Sequence, residues 1–308
     1  MKKQIGLILA SILLVLPLAA CQKTEHGNAA TGPSTPTVSS ADKSDPSTGP
    51  AVNNAAITVI SREDGSGTRG AFTELFGVMD ADKVDQTSDR AEITNSTSVM
   101  MTSVAGNPDA IGYISLGSLN STVKAAKIDG VEATVANINN GSNTISRPFN
   151  IATKETVSAL AQDFIDFIMS TDGQNIVEAN GYIRVEDTGA YSGAKPAGKI
   201  VVGGSSSVSP VMEKLIEGYC AINTGADIEL QTSDSSTGMN NTTDGVCDIG
   251  MASRELKDSE HAAGLRDITL AMDGIAVIIN NGSPVEDLTK DQVRQIFTGE
   301  ITNWSEIH

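Results

Sequence analysis

Short apolar runs alternate with helical apolar spacings along residues 57–308, and the alternation predicts strands followed by helices. Residues 57–60 (Ile-Thr-Val-Ile) form a β-branched run typical of a strand. Phe72, Leu75 and Phe76 then recur at the i, i+3, i+4 spacing of one helix face. The same reading predicts helices over 160–168, 209–219 and 289–299 and buried strands over 248–253 and 274–279. Strands separated by helices indicate βαβ units, so we expect an α/β protein with mostly parallel sheets.

Two of the predicted helices carry local start or stop signals. Ser209 followed by Pro210 is typical of an N-cap with proline in the first helical turn. Thr289 and Gln292 have the spacing of a capping box, and Gly299 has the position of a C-terminal stop. These signals predict where the two helices begin and where the second one ends.

The N-terminus has the features of an export signal. Two lysines precede an apolar run of twelve residues, 5–16, which is too short to span a bilayer because a spanning helix needs about 20 residues. Residues 18–21 (Leu-Ala-Ala-Cys) resemble a lipoprotein signal, so we expect 1–20 to be a signal peptide and Cys21 to be lipidated. The protein would then be anchored on the extracellular face of the cell membrane. The alternative is an ordinary signal peptide followed by a chance cysteine.

Residues 21–56 have the composition of a disordered linker. Within 22–56 only Val38 and Val52 are large and apolar, so this stretch cannot bury enough surface to offset its ordering entropy. We therefore expect a lipid-anchored linker over 21–56. The 308 residues of the chain, at roughly 150 per domain, suggest two domains or lobes.

Charge and composition exclude several classes of function. The chain has 21 Lys and Arg against 38 Asp and Glu, a net charge of −17, which argues against nucleic acid as a partner. It has three His and three Cys, too few to favour a metal site, and we expect neither metal nor cofactor. An enzyme with a serine nucleophile is the alternative class. It lacks a well-placed base, because His26 lies in the linker, His308 is terminal and His261 lies in a polar segment.

Four loops rich in Ser, Thr and Gly carry the candidate chemistry. They cover residues 64–68, 203–207, 234–238 and 252–254, and each follows or ends a predicted strand. Hydroxyl and N–H donors with an occasional Arg suit a desolvated oxyanion, since each charge-assisted hydrogen bond contributes roughly 1.5–3 kcal/mol. Any one loop alone is better explained by a helix cap or a tight turn. The four together predict an oxyanion site.

Nucleotide binding is the main competitor for the first of these loops. The P-loop pattern requires a lysine that reaches the outer phosphates, and residues 65–70 (Gly-Ser-Gly-Thr-Arg-Gly) contain none. The same residues match Gly-x-Gly-x-x-Gly after a strand, but that fingerprint alone is weak, and an exported protein meets little dinucleotide. We therefore do not expect a nucleotide site.

Several motifs resemble those of one known family. The phosphate-binding proteins of bacterial phosphate ABC transporters have segments similar to residues 57–69, 95–97, 105–108, 111–117, 250–256 and 297–304. The resemblance implies a two-lobed periplasmic-binding-protein-like fold (type II) with a hinge and a ligand cleft. It also implies capture of inorganic phosphate and its delivery to the membrane permease subunits of an ABC importer. The alternatives are a binder of another tetrahedral oxyanion, or a surface sensor or adhesion protein with the same fold.

The order of the motifs departs from that family. There the segment resembling 200–304 precedes the one resembling 57–185, so the resemblance implies a circular permutation with 186–199 as the new joint. Permutation is tolerated when the old chain ends lie close together at the surface. The alternative is a fragment of a longer tandem chain. With hinges near 147–150 and 272–275, one lobe would comprise 57–150 plus 275–308, and the other would be continuous over 151–274.

The resemblance also implies the residues of a phosphate site shared by the two lobes. They are Arg62, Ser66, Gly67, Thr68, Ser206, Ser207, Ser235 and Ser253. Ser253 stands where family members have an Asp that accepts the proton of phosphate, which puts the rejection of sulfate in doubt, because only an acceptor distinguishes the two ions. Asp64 and Arg254 are the candidates for an acceptor or for a supporting role around the site.

The two remaining cysteines, Cys220 and Cys247, lie close in sequence in an exported protein. Disulfides persist in oxidising compartments, so we expect a bridge between them, which would contribute about 3 kcal/mol. The alternative is two buried free cysteines, one ending a helix and one opening a strand.

Overall fold

A computed structural model describes residues 54–307 as an α/β fold around one mixed sheet. The strands are β1 (Thr58–Arg62), β2 (Glu92–Thr94), β3 (Ala110–Ser115), β4 (Lys124–Ala125), β5 (Lys127–Ile128), β6 (Ser146–Thr153), β7 (Gly198–Ser205), β8 (Ala226–Ser233), β9 (Ile249–Ala252), β10 (Arg266–Ile279) and β11 (Asp287–Leu288). The helices are α1 (Gly67–Leu75), α2 (Thr97–Gly106), α3 (Val135–Asn139), α4 (Ala159–Met169), α5 (Thr171–Ala179), α6 (Ser209–Ile222), α7 (Ser235–Asp244), α8 (Asp258–Ala262) and α9 (Lys290–Thr298). None of the helices within 54–307 has the length and apolarity needed to cross a bilayer. The predicted signal peptide 1–20, lipidation of Cys21 and linker residues 21–53 lie outside the described residues.

The sheet is parallel at its two ends and antiparallel in its middle. Its strands run in the order β2-β1-β3-β10-β6-β9-β7-β8, with β4 paired to β10, while β5 and β11 form a separate parallel pair. β1 pairs in parallel with β2 and β3, and β7 with β8 and β9. β10 runs antiparallel to β3, β4 and β6, and β6 antiparallel to β9. The expectation of mostly parallel pairing is therefore wrong for the middle strands, which connect the two parts of the fold.

β10 divides the fold into two lobes because it changes partner along its length. It pairs with β6 up to Gly274 and with β3 from Ile275 onward. We call the part with β1–β5 and β11 the terminal lobe and the part with β6–β9 the central lobe. The hydrophobic core of the central lobe includes Phe149, Phe164 and Tyr219, and a separate core in the terminal lobe is formed by residues from both ends of the described chain. The lobe boundaries at 150 and 274 stay a prediction.

The two ends of the described chain meet within the terminal lobe. Ile57 N donates to Thr302 O (2.8 Å), and Trp304 N donates to Ala55 O (3.1 Å). Trp304 is buried in the same core as Val59. Residues 54–56, predicted to belong to the linker, thus already contact the folded part.

The capping signals predicted for the last helix are confirmed, and those of α6 need a correction. Thr289 accepts from Gln292 N (3.1 Å), the Gln292 side chain accepts from Thr289 N (2.8 Å), and Gly299 ends α9 in the left-handed region at φ 83°. Ser209, predicted as an N-cap, is instead the first residue of α6, after Val208. Its hydroxyl donates to Ser205 O (3.2 Å), so it stabilises the preceding turn rather than the free N–H groups of the helix.

The predicted joint, 186–199, is held against the central lobe by a buried carboxylate. Asp163 accepts hydrogen bonds from Tyr191 OH (2.6 Å), Tyr219 OH (2.6 Å) and Ala194 N (2.8 Å). Burial raises the pKa of Asp163, but these hydrogen bonds outweigh burial and hold the pKa below its usual value. The segment that follows α5 is therefore fixed to α4 and α6 by one ionised side chain.

The predicted disulfide between Cys220 and Cys247 is wrong, because both cysteines are free. Cys220 is on α6, whose apolar face packs in the same core as Val202 of β7. Cys247 lies instead over the next residue of that strand, Gly203, where an added Cβ would be 2.6 Å from Cys247 Sγ. Successive residues of a strand face opposite sides of a sheet, so the sheet separates the two sulfur atoms.

Candidate oxyanion site

The four loops predicted from the sequence meet where the two lobes face each other. Thr68 Oγ1 of the terminal lobe is hydrogen-bonded to Ser207 Oγ of the central lobe at 2.8 Å. A Cβ added at Gly67 would lie 2.5 Å from Ser235 Oγ and 2.8 Å from Ser253 Oγ, so these loops are in close contact. The predicted site residues with a side chain are all buried: Arg62, Ser66, Thr68, Ser206, Ser207, Ser235 and Ser253.

Strand ends and helix starts place these groups. β1 leads into α1, whose N-cap Ser66 accepts from Arg69 N (3.3 Å). β8 leads into α7, whose N-cap Asp234 accepts from Thr237 N (2.9 Å). Free N–H groups and the positive end of the helix dipole are located at a helix N-terminus, and both favour a bound anion. The loops therefore supply N–H donors as well as hydroxyls.

Arg62 provides the positive charge in the cluster. Its side chain is 3% exposed, and Glu63 binds one edge of the guanidinium through Nε–Oε2 (2.8 Å) and Nη2–Oε1 (2.7 Å). Nη2 also donates to Ser206 Oγ (3.1 Å), and Nη1 donates to Thr97 Oγ1 (3.5 Å). Glu63 thus fixes the orientation of a guanidinium whose other groups face hydroxyls of both lobes.

A buried tyrosine fixes the end of the strand that carries Arg62. Tyr113 OH is hydrogen-bonded to Ser61 Oγ (2.8 Å) and accepts from Arg62 N (3.1 Å). Burial raises the pKa of Tyr113 to about 12, so the phenol is neutral at physiological pH. Tyr113 lies on β3, so its hydroxyl fixes the backbone of Arg62 relative to that strand.

Two further hydroxyl residues belong to the cluster. Neither was among the predicted site residues, although Ser205 lies in the predicted loop 203–207. Thr97, the first residue of α2, is hydrogen-bonded to Ser207 Oγ (3.1 Å), and its N–H donates to Ser206 Oγ (3.4 Å). Ser205 Oγ accepts from Ser207 N (3.3 Å) and donates to Ser253 Oγ (2.9 Å). Residues 95–97 were recognised as a motif, and Ser96 next to Thr97 has the helix-cap chemistry that would have indicated a fifth loop.

The candidate acceptor Asp64 lies outside this cluster. Its side chain is 97% exposed and pairs with Arg69 at 2.8 Å. Arg254 pairs with Glu260 (2.7 Å), and its Nη2 donates to Ser236 Oγ (3.3 Å). Arg254 therefore lies beside the cluster in a supporting position, and Asp64 does not contact the hydroxyls.

The acidic side chains nearest to the hydroxyls are already engaged. Glu63 is paired with Arg62, and Asp234 accepts from both Thr237 N and Thr237 Oγ1. Within residues 54–307, no three His, Cys, Asp or Glu side chains are grouped as ligands for a metal ion. The donor set is thus one guanidinium, hydroxyls and backbone N–H groups, which is suited to an oxyanion.

A cleft of about 490 Å³ leads to the hydroxyl cluster from one side. Its lining includes the buried residues Thr97 of the terminal lobe and Ser206 of the central lobe, together with the exposed residues Asn120 and Glu213. Both lobes contribute to the lining, so a change in their separation changes access to the cluster.

Comparison with known proteins shows the family to which this chain is similar. The PBP superfamily domain matches residues 37–172 and 189–307. The phosphate-binding protein PstS 2 of Streptococcus agalactiae serotype V is 54% identical over 260 residues, which are 83% of this chain and 89% of the relative. The phosphate-binding protein PstS of Bacillus subtilis is 34% identical over 115 residues, 37% of this chain and 38% of the relative.

A solved structure agrees with the fold. The crystal structure of a phosphate-binding protein of a phosphate ABC transporter from Streptococcus pneumoniae TIGR4 is 43% identical and has a TM-score of 0.65. It covers 82% of this chain, which spans the whole of that structure. The two-lobed periplasmic-binding-protein fold predicted from the sequence is confirmed by these matches. The chain belongs to the PstS phosphate-binding protein family of the PBP superfamily.

Proposed function

We propose that the protein captures inorganic phosphate between its two lobes and delivers it to the permease subunits of an ABC importer. The observation that carries the proposal is one buried guanidinium, Arg62, among hydroxyls of both lobes that are themselves in contact, as at Thr68 and Ser207. The names of the streptococcal relatives, a phosphate-binding protein and a phosphate ABC transporter component, support phosphate as the ligand. The role is binding and transfer, without catalysis.

Each lobe contributes a distinct set of donors in this proposal. Arg62 supplies the counter-charge from the terminal lobe, and Ser66, Gly67 and Thr68 supply hydroxyls and N–H groups at the start of α1. The central lobe supplies the hydroxyls of Ser206, Ser207, Ser235 and Ser253. Because the site is buried, each charge-assisted bond contributes roughly 1.5–3 kcal/mol, more than it would in bulk water.

Hydrogen-bond donors at short range are essential because the negative electrostatic field of the whole protein opposes the binding of an anion. The chain carries a net charge of −17, and loss of the two lysines in the predicted signal peptide makes the remainder still more acidic. A phosphate dianion is repelled by such a surface at long range, whereas buried donors are poorly screened by salt. The affinity therefore comes from the closed cluster.

We also propose an extracytoplasmic location, with Cys21 as a lipid anchor on the outer face of the cell membrane. A secretory signal with Cys21 directly after two alanines supports the anchor. An importer takes its ligand from that side, so a receptor tethered there delivers phosphate where it is needed.

We further propose that the chain is circularly permuted relative to the family members in which the two halves occur in the opposite order, with lobes at 57–150 plus 275–308 and at 151–274. Two features support this: the ends of the described chain meet in one lobe, and β6 and β10 are the strands that pass between the lobes. The Bacillus subtilis relative aligns over about a third of the chain, whereas the Streptococcus agalactiae relative aligns over most of it. A permuted order would allow only one segment at a time to align with an unpermuted relative.

Calorimetric titration of the purified chain with phosphate, sulfate, arsenate and molybdate tests the proposed ligand. We expect saturable binding of phosphate to one site. If the protein prefers another of these ions, that tetrahedral oxyanion is its ligand instead of phosphate. No binding of any of them would favour a surface sensor or adhesion protein. The sulfate titration also measures the discrimination that Ser253 puts in doubt.

A further inference from the structure

A buried ion pair lies where the chain passes between the two lobes. Arg147 of β6 and Asp273 of β10 are directly opposite each other in antiparallel register, and Arg147 Nη2 is 3.2 Å from Asp273 Oδ2. Their side chains are 2% and 1% exposed. Two residues farther along, at Ile275, β10 has left β6 and pairs with β3.

Asp273 connects the pair to the terminal lobe. Its Oδ1 accepts from Ser115 Oγ (2.9 Å) at the end of β3 and from Gly117 N (3.3 Å) in the following turn. Burial raises the pKa of Asp273 to about 6, and Arg147 and these donors keep it from rising further. The carboxylate is thus ionised at neutral pH and bound to groups of both lobes.

Arg147 connects the pair to the backbone of the anion site. Its Nη1 donates to Ser253 O (3.1 Å), and three residues along β6 Asn150 Nδ2 donates to Arg254 O (3.0 Å). Two side chains of one strand therefore hold successive carbonyl groups of the loop after β9. The remaining polar groups of Ser253 bind within the central lobe, its N–H to Ser235 Oγ (3.1 Å) and its hydroxyl to Ser205.

The pair is poorly arranged for stability alone. Arg147 Nε is buried and has no hydrogen-bond partner among residues 54–307. Desolvation of two charges costs more than their attraction returns unless every polar atom is satisfied, and an apolar pair of similar volume is often as stable. A buried ion pair with an unsatisfied polar atom is therefore weak evidence for stability, and its contacts with the site need another explanation.

We propose that Arg147 and Asp273 are positioning residues for anion capture, which join the end of β3 in the terminal lobe to the backbone of Ser253 in the central lobe. The inference rests on the proposed function of this site. The Ser253 hydroxyl contributes to the cluster only when its backbone is held in place, and binding groups must be within about 0.5 Å of their productive positions. The pair also sets the separation of the lobes at the strands that connect them.

Replacement of Arg147 and Asp273 by apolar residues distinguishes an effect on the position of Ser253 from an effect on folding. Arg147→Met or Asp273→Leu alone leaves a buried unpaired charge, so we expect each single variant to have a lower melting temperature. The double variant, Arg147→Met with Asp273→Leu, should regain most of the melting temperature. Its dissociation constant for phosphate, measured by calorimetry, should nevertheless be at least tenfold higher than that of the parent. The corresponding substitutions in the surface pair, Arg294→Met with Glu300→Leu, serve as the control and should leave phosphate affinity unchanged.

A double variant that is as stable as the parent and binds phosphate within threefold of it would overturn the positioning role. Arg147→Lys provides a second test if the double variant does not fold. Lysine keeps the charge next to Asp273 but lacks the fork that reaches Asp273 and Ser253 together, so we expect a folded protein with at least fivefold weaker binding. Parent-like affinity in this variant would also overturn the proposal. A parent chain that binds no phosphate would instead overturn the proposed function, and this inference with it.

Discussion

Replacement of Gly67 by alanine tests the contact between the lobes without changing any charge. Gly67 is the first residue of α1, and an added Cβ would lie 2.5 Å from Ser235 Oγ and 2.8 Å from Ser253 Oγ. Both atoms belong to the opposite lobe. The added methyl group therefore forces the two lobes apart at this contact.

The size of the effect follows from these distances. Ordinary van der Waals contact begins near 3.4 Å, so Ser235 Oγ must move by about 0.9 Å. Rotation of the hydroxyls is costly, because Ser235 Oγ accepts from Ser253 N and Ser253 Oγ accepts from Ser205. Overpacking of this kind costs about 1–3 kcal/mol, and the middle of that range corresponds to about thirtyfold weaker binding.

If the lobes close on phosphate as proposed, the unliganded protein can relieve this contact by separating its lobes. We therefore expect the melting temperature without phosphate to change little. Gly70→Ala is the matched control in the same helix, because a Cβ there has nothing within 4 Å. Alanine is favoured over glycine in a helix by up to about 1 kcal/mol, so this variant should be equally or more stable and bind phosphate normally. Calorimetry and thermal denaturation of both variants provide the comparison. If Gly67→Ala binds phosphate within threefold of the parent, the lobes do not close on phosphate as proposed.

Three other substitutions or measurements test separate parts of the structure. Arg62→Met removes the buried counter-charge and its bonds to hydroxyls, so calorimetry should show at least about hundredfold weaker phosphate binding, whereas Arg294→Met should bind normally. Asp163→Asn should lower the free energy of unfolding in urea by about 2 kcal/mol at pH 7. Because the folded pKa of Asp163 is lowered, its contribution is present above about pH 4 and is lost as the pH falls further, so parent and variant should converge in acid; a constant difference would contradict this. Alkylation of the denatured protein without reductant should modify both Cys220 and Cys247, and a disulfide-linked peptide pair would contradict the observed free thiols.

Elements governed by neighbouring residues could be predicted from the sequence. Thr289, Gln292 and Gly299 lie within about three helical turns, and their capping chemistry needs no distant partner, so α9 was predicted with its ends. β10 shows the opposite case. Residues 274–279 were predicted as a strand, but the strand begins at Arg266, because its first half is stabilised by pairing with β6 more than a hundred residues earlier.

The candidate site likewise has residues that local sequence patterns predict and residues that only distant contacts bring together. The loops around Ser66 and Ser235 were found because they combine helix-cap residues with glycine, a local pattern. Thr97 was missed as a site residue because its contact with Ser207 joins positions 110 residues apart. The Arg147 link to Ser253 was missed for the same reason, since an arginine within an apolar strand does not show which carbonyl it will reach.

The meeting of the two ends of the described chain has a mechanical consequence. Tension applied between residues 54 and 307 would act on the hydrogen bonds of Ile57 and Trp304, which are side by side in an antiparallel bridge and would open one after the other. Such a load is carried within the terminal lobe and does not pass through β6 and β10 to the other side of the cleft. A molecule held at its ends could therefore open and close around its ligand without performing work against that tension.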